Sequence, residues 1–102
     1  MKCDIDKFQQ KCFEWSAKTF GVRPIAGPLA HLKSEIDEIL AKPDDITEWA
    51  DAYILLQDAA SRQGIAMSQL FNAACTKHEI NREREWPPVG IVNEQGFTEH
   101  TK

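Results

Sequence analysis

The sequence predicts an all-α fold, a bundle of four helices, and three observations carry that expectation. Apolar residues recur at three- and four-residue spacing along most of the chain. Gly and Pro stand at the joints between those stretches or beyond the last of them. No stretch alternates apolar and polar residues in the manner of a half-buried strand. Short connections then make consecutive helices antiparallel neighbours.

The first helix is expected from Asp4 to Phe20, where Ile5, Phe8, Cys12, Trp15 and Thr19 share a face and Gly21 supplies the stop. A loop, "GVRPIAGP", follows. The second helix is expected to open at Gly27-Pro28, because the first turn tolerates proline's missing N–H. Leu29, Leu32, Ile36, Ile39 and Leu40 give it an apolar stripe, and Lys42-Pro43 ends it. The third helix starts at Asp44 or Asp45 and runs to about Arg62, stopped at Gln63-Gly64. Its centre, "WADAYILLQDAA", is apolar on most sides, which predicts the most buried helix. A fourth is expected from about Ala66 to Glu85, with Leu70, Phe71, Ala74 and Ile80 inward, ending before Pro87-Pro88. Residues 1–86 read as one domain and 87–102 as an extended tail. Four helices of this length leave apolar surface uncovered, so self-association to a homodimer or homotetramer is expected.

With 102 residues, 42% of them hydrophobic, the chain has material for a modest core. Its net charge of −4 leaves no broad basic face, which argues against a nucleic-acid polymer as partner. The longest apolar run, Ala52 to Leu56, is far too short to span a bilayer, and "MKCDIDKFQQ" lacks the apolar centre of a secretory signal. Cys3, Cys12 and Cys75 are odd in number and lack C-x-x-C spacing. They read as reduced thiols of a cytoplasmic protein, with Cys12 and Cys75 in core packing.

Chemistry concentrates in two acidic pairs, Glu35 with Glu38 on the second helix and Glu48 with Asp51 on the third. Residues three apart on a helix lie about 60° from alignment, so each pair points one way. The short turn between the helices allows the two faces to meet. Asp58, seven residues after Asp51, returns to the same stripe. Carboxylates converging in this way repel unless a hard divalent cation sits among them, and an all-oxygen set fits Mg²⁺ or Mn²⁺ better than zinc or copper. The plain alternative is a solvated helix face, with Glu48 serving Asp45 in a D-x-x-E capping box. Asp51 and Asp58 weigh against it, since they interrupt the most apolar segment of the chain. A di-iron carboxylate bundle is excluded: it needs Glu-x-x-His, and His31, His78 and His100 all lack a Glu three residues before them.

On the fourth helix Lys77, Asn81 and Arg84 share a face, and Arg82 lies well round from it. A salt-bridged helix end is the plain reading. Beside a metal-binding acidic cluster, the stripe reads instead as the second side of a polyphosphate site.

"FEWSAKTFG", "GPLAHLKSEIDE", "PDDITEWADAYILLQDAASRQGI" and "KHEINREREWP" occur in that order between Phe13 and Pro88. Together they resemble the phage and bacterial dATP/dGTP pyrophosphohydrolases, a MazG-like branch of the all-α NTP pyrophosphatase superfamily. The most specific elements are "GPLAHL" ahead of the acidic pairs and N-x-x-R-x-W-P behind them. Where the common MazG form opens its motif with two adjacent glutamates, Ser34 precedes Glu35 here. "QGFTEHTK" is only loosely similar to the family's Gly-to-His ending and is assigned no role.

The resemblance implies a MazG-like four-helix bundle that hydrolyses a purine deoxynucleoside triphosphate, dGTP or dATP, to a monophosphate and pyrophosphate. It implies Glu35, Glu38, Glu48 and Asp51 as ligands of two to three Mg²⁺ or Mn²⁺ ions, and Lys77, Asn81 and Arg84 as contacts to phosphates and sugar. Glu38 is the candidate acceptor of the attacking water's proton. His31, one turn before Glu35, and Trp15 are candidates for a nucleobase pocket, with plain core packing the competing reading for Trp15 and Trp49. Asp58 joins the substrate-binding candidates. Two alternatives stand beside this reading: a dUTP- or dCTP-directed relative, and a non-enzymatic helical module that binds a nucleotide or a partner helix.

Overall fold

In the computed structural model, residues 4–101 are described and form four helices: α1 (Ile5–Phe20), α2 (Ala26–Ala41), α3 (Ile46–Arg62) and α4 (Met67–Glu83). The described residues contain no strand. Cys3 lies outside them.

Local chemistry sets both ends of α1 and of α3. Asp4 caps α1, its carboxylate accepting from the N–H groups of Asp6 and Lys7. Gly21, at φ 81°, ends that helix in a conformation that a side chain would strain. Helix α2 opens at Ala26, one residue before the expected Gly27, so Pro28 falls within the first turn, where its missing N–H leaves no hydrogen bond unmade. At the start of α3, Asp45 accepts from the N–H and hydroxyl of Thr47 at 3.0 and 2.6 Å. Asp45's own N–H donates to the Lys42 carbonyl at 3.1 Å, so the capping box with Glu48 does not form and the Glu48 side chain is free for other contacts. A Schellman turn closes α3: Ile65 N–H donates to Ala60 O, Gly64 N–H to Ser61 O, and Gly64 takes φ 73°.

Contacts divide the chain into a unit ending at Leu70 and a second beginning at Phe71, inside α4 and well before the expected boundary at 86/87. In the first unit α3 is central, with α2 packed against it most extensively and α1 next. Three of the buried side chains, Gln57, Ala59 and Ala60, belong to α3, in keeping with its apolar centre. The start of α4 is tied to α1 by capping from a distance. Asp6 accepts from the N–H and the hydroxyl of Ser68, while Gln9 accepts from Met67 N–H at 2.8 Å and donates to Ser61 Oγ and Ile65 O.

The second unit comprises the rest of α4 and the C-terminal segment. That segment is no extended tail: turns at Val89–Gly90 and around Asn93 fold it back, and Thr101 N–H reaches Glu85 O at 2.7 Å. Asn93, Gly90 and Gly96 supply the turn chemistry that the pattern of apolar residues did not reveal.

Among the described apolar residues Pro28, Ala59, Ala60 and Met67 are the buried ones. Phe71, Ala74, Cys75 and Ile80, expected inward, are exposed, and Trp15 and Trp49 are about half exposed instead of packed in a core. Their apolar periodicity therefore does not mark buried positions in this structure. Cys12 and Cys75 are free thiols, Cys12 half-buried.

Candidate active site

Glu35 projects from the middle of α2, and Glu48 and Asp51 from the first turns of α3, the helix packed most closely against it. Their carboxylate oxygens lie within 4.8 Å of one another. Glu35 and Glu48 are half-buried and Asp51 is exposed. Partial burial pushes the Glu48 carboxyl above its ordinary value, and the charges of Glu38, Glu35, Asp45 and Asp51 push it the same way. The site therefore holds more negative charge than its own protein donors neutralise.

Glu38 is not one of the three converging groups. It is exposed, and its charge is the largest of those acting on Glu48. Helical spacing and the short turn predict four acids on one face; the fold brings three together and leaves Glu38 outside the trio. His31, one turn before Glu35, has its Nε2 3.3 Å from Glu35 Oε1, with the ring largely exposed. Trp15, on α1, meets the edge of Phe20 in a T-shaped pair at 5.4 Å. It presents most of its indole to solvent.

Asp58 does not join the cluster. Its Oδ2 accepts from Arg62 Nε at 3.2 Å, and Arg62, nearly buried, also donates to the Arg23 carbonyl in the loop between α1 and α2. The partner of this acid was four residues away in the sequence, an i,i+4 pair, and that spacing is the signal that assigns Asp58 to structure. Asp58 Oδ1 is buried without a protein partner.

In the second unit, Lys77 is exposed, and Asn81 and Arg84 are half-buried at the end of α4. Arg84 Nη1 donates to Asn81 Oδ1 at 3.4 Å, and Trp86 Nε1 donates to the Asn81 carbonyl at 2.6 Å. Arg82 pairs with Glu79 on the solvent side, apart from the stripe.

Comparison with known proteins supplies the class first. The cyanophage S-2L MazG-like pyrophosphohydrolase, solved with dGDP and three catalytic Mn²⁺ ions per active site, superposes with a TM-score of 0.77. The match covers 99% of this chain and 100% of that one at 28% identity, so the fold is the all-α MazG-like fold. The sequence profile of the dATP/dGTP pyrophosphohydrolases matches residues 8–101, and the chain belongs to that family. The match runs through the C-terminal loop, which is thus part of the family's domain. The Eaa protein of Salmonella phage P22 is 44% identical over 82 residues; those residues are 80% of this chain and only 26% of that protein, so the chain spans about a quarter of this relative's length.

The carboxylate set fits a divalent cation on its own chemistry. Three mutually repelling carboxylates from two helices, two of them half-buried, match the hard-cation preference of Mg²⁺ and Mn²⁺, and among the described residues no His or Cys belongs to the converging set.

Proposed function

We propose that this chain is a divalent-metal-dependent pyrophosphohydrolase of purine deoxynucleoside triphosphates, cleaving dGTP or dATP to the monophosphate and pyrophosphate. The observation that carries the reading is the Glu35–Glu48–Asp51 convergence, in a chain of this family. Glu35, Glu48 and Asp51 hold the cations, with Glu38 at their margin. When bound, Mg²⁺ or Mn²⁺ ions supply Lewis acidity towards phosphate oxygens and towards water. Glu38, outside the converging trio, takes the proton of the attacking water as the bond between the α- and β-phosphates breaks. Lys77 and Arg84 offset charge on the phosphates, and Asn81 donates to a phosphate or sugar oxygen. His31 and Trp15 face the base, His31 held by Glu35 and Trp15 offering an open aromatic surface. Asp58 acts indirectly, by fixing Arg62 and the loop that leads into α2.

Self-association belongs to the same proposal. A chain with Leu40, Ile46 and Phe71 mostly exposed and so few buried apolar residues gains its core from a second copy, as a homodimer or homotetramer. Among the described residues no helix is long and apolar enough to cross a membrane. The substrate pool places the protein in the cytoplasm of a bacterial or phage-infected cell.

The test is a panel of dGTP, dATP, dCTP, dTTP and dUTP with Mg²⁺ or Mn²⁺, products separated by chromatography. Monophosphate plus pyrophosphate from the purine substrates is expected. Nucleoside diphosphate plus orthophosphate overturns the bond assignment, pyrimidine preference overturns the base assignment, and no turnover with any of them favours a binding module.

A further inference from the structure

We propose that Trp86 is a positioning residue for nucleotide binding: held by the C-terminal loop, it fixes the last turn of α4 so that Asn81 and Arg84 meet the substrate in one orientation. The inference rests on the reading of Asn81 and Arg84 as nucleotide contacts and adds to it a residue and a loop that the acidic site does not use.

The loop from Trp86 to His100 closes on itself. Thr101 N–H donates to Glu85 O at 2.7 Å, and the His100 ring meets the Trp86 indole edge-to-face at 5.7 Å. Within the loop, Asn93 N–H donates to Phe97 O at 2.8 Å, Asn93 Oδ1 accepts from the N–H groups of Gln95 and Phe97, and Thr98 Oγ1 donates to Ile91 O. A compact loop with adjoining ends is the Ω type, ordered by its own contacts. It does not serve as a core, because Val89, Ile91, Val92 and Phe97 all stay exposed. Its far end returns to Trp86 through the His100 ring and to the neighbouring Glu85 through Thr101.

Trp86 in turn grips Asn81. The last carbonyls of a helix lack intrahelical donors, and that of Asn81 accepts from the Trp86 indole at 2.6 Å and from Arg84 N–H at 3.4 Å. The Arg84 guanidinium takes up the acceptor of the Asn81 side chain, so the amide's remaining polar group is a pair of N–H donors. A phosphate or sugar oxygen requires that chemistry. Every residue of α4 from Phe71 to Ile80 is exposed, whereas Asn81 and Arg84 are half-buried. Asn81 takes the indole hydrogen bond and Arg84 the Asn81 amide, while Arg82, Glu83, Glu85 and Trp86 stay exposed around them. Binding affinity rises when donors are already ordered, since the cost of immobilising them is met before the ligand arrives.

Full-length variants test this by steady-state kinetics with dGTP and dATP. Trp86→Phe keeps a ring against His100 and removes the N–H; KM is expected to rise about three- to tenfold, the range of one hydrogen bond's net contribution, with kcat within about twofold of the parent. His100→Ala should raise KM less, and His100→Phe should restore it. The rise in melting temperature on adding Mn²⁺, which reads the acidic group alone, should be the same in all three. An unchanged KM in Trp86→Phe and His100→Ala, with Arg84→Ala raising it, overturns the positioning role and leaves the nucleotide reading intact. Loss of the Mn²⁺ response together with activity also overturns it, since the effect is then general unfolding. An unchanged KM in both Arg84→Ala and Asn81→Ala removes the underlying assignment, and this inference with it.

Discussion

Asp6 and Glu48 are both half-buried acids on helices of the same unit, yet the protein treats them oppositely. Asp6 accepts from the hydroxyl and the N–H of Ser68, and those bonds hold its carboxyl below the ordinary aspartate range. Glu48 faces Glu35 and Asp51, and burial with the surrounding charge lifts its carboxyl above the ordinary glutamate range. One acid is satisfied by the fold and stabilises it. The other faces like charges, which raise its carboxyl. A carboxylate's place in the sequence does not separate these roles; the supply of donors around it does.

Substitutions at the acidic group should act most strongly. Glu48→Gln should lower turnover of a purine deoxynucleoside triphosphate by about a hundredfold or more, the scale of losing a ligand-dependent charge-stabilising site. Glu38→Gln should cost about 10²–10⁴-fold, as loss of a general base does. Metal response then distinguishes them. The parent's melting temperature should rise by several degrees on adding Mn²⁺ well above its Kd, because a ligand of the native state stabilises it. Glu48→Gln should abolish that rise and melt no lower than the parent in metal-free buffer, having lost a repulsive charge. Glu38→Gln should keep most of it. Asp6→Asn should keep all of it while melting lower at every metal concentration. An unaltered Mn²⁺ response in Glu48→Gln removes the group from metal binding.

A second contrast, between two buried glutamines, sharpens the same point with stability as the readout. Gln9 is 6% exposed and makes three hydrogen bonds, whereas Gln57 is 1% exposed and neither side-chain polar atom has a protein partner. Gln9→Ala strands the buried Met67 N–H and should destabilise by about 2–4 kcal/mol, combining an orphaned donor with a lost side chain. Gln57→Leu replaces an unpaired amide by an apolar group of similar volume and should be neutral or stabilising by up to about 2 kcal/mol. Urea unfolding measures both. A Gln57→Leu variant as damaged as Gln9→Ala would show that the Gln57 amide is satisfied in solution.

Much of this was legible in the residues, and the parts that were not share a cause. Asp4, Gly21, Pro43, Asp45 and Gly64 announce helix ends through local chemistry, and four helices follow within one or two residues of expectation. Glu35, Glu48 and Asp51 were readable because helical spacing and a short turn determine which faces meet. Glu38's place beside the trio instead of within it depends on the rotation of α2 against α3, which periodicity does not specify. Gln9 gave no warning at all: a glutamine on a helix reads as solvated until its partners, Ser61 and Met67, arrive from more than fifty residues away. Phe71 and Ile80 carry an inward signal yet stay exposed, and the folded loop after Pro87 hides in Asn and Gly turns too short for a periodic pattern.

The smallest expected effect is a pH profile of the metal-free protein, and its sign follows from the opposed shifts of Asp6 and Glu48. Glu48 has a folded-state value above its ordinary 4.5, so between 4.5 and that higher value the native state binds more protons than the unfolded one. Stability therefore falls as pH rises through that window and is regained on acidification. Asp6, like Asp45 at the α3 cap, has a folded-state value below 3.8; the unfolded state binds more protons there, and stability falls as pH drops below 3.8. Together these groups give a profile with an acid limb below 3.8 and an opposite limb above 4.5. Melting temperatures recorded in a chelator from pH 3 to about pH 7 should trace it, with Asp6→Asn weakening the acid limb and Glu48→Gln flattening the limb towards neutrality. Saturating Mn²⁺ should flatten the same limb as Glu48→Gln, because cation and substitution relieve one repulsion. If Glu48→Gln leaves the limb towards neutrality as steep as in the parent, the charge that limits the metal-free fold lies elsewhere than among Glu35, Glu48 and Asp51.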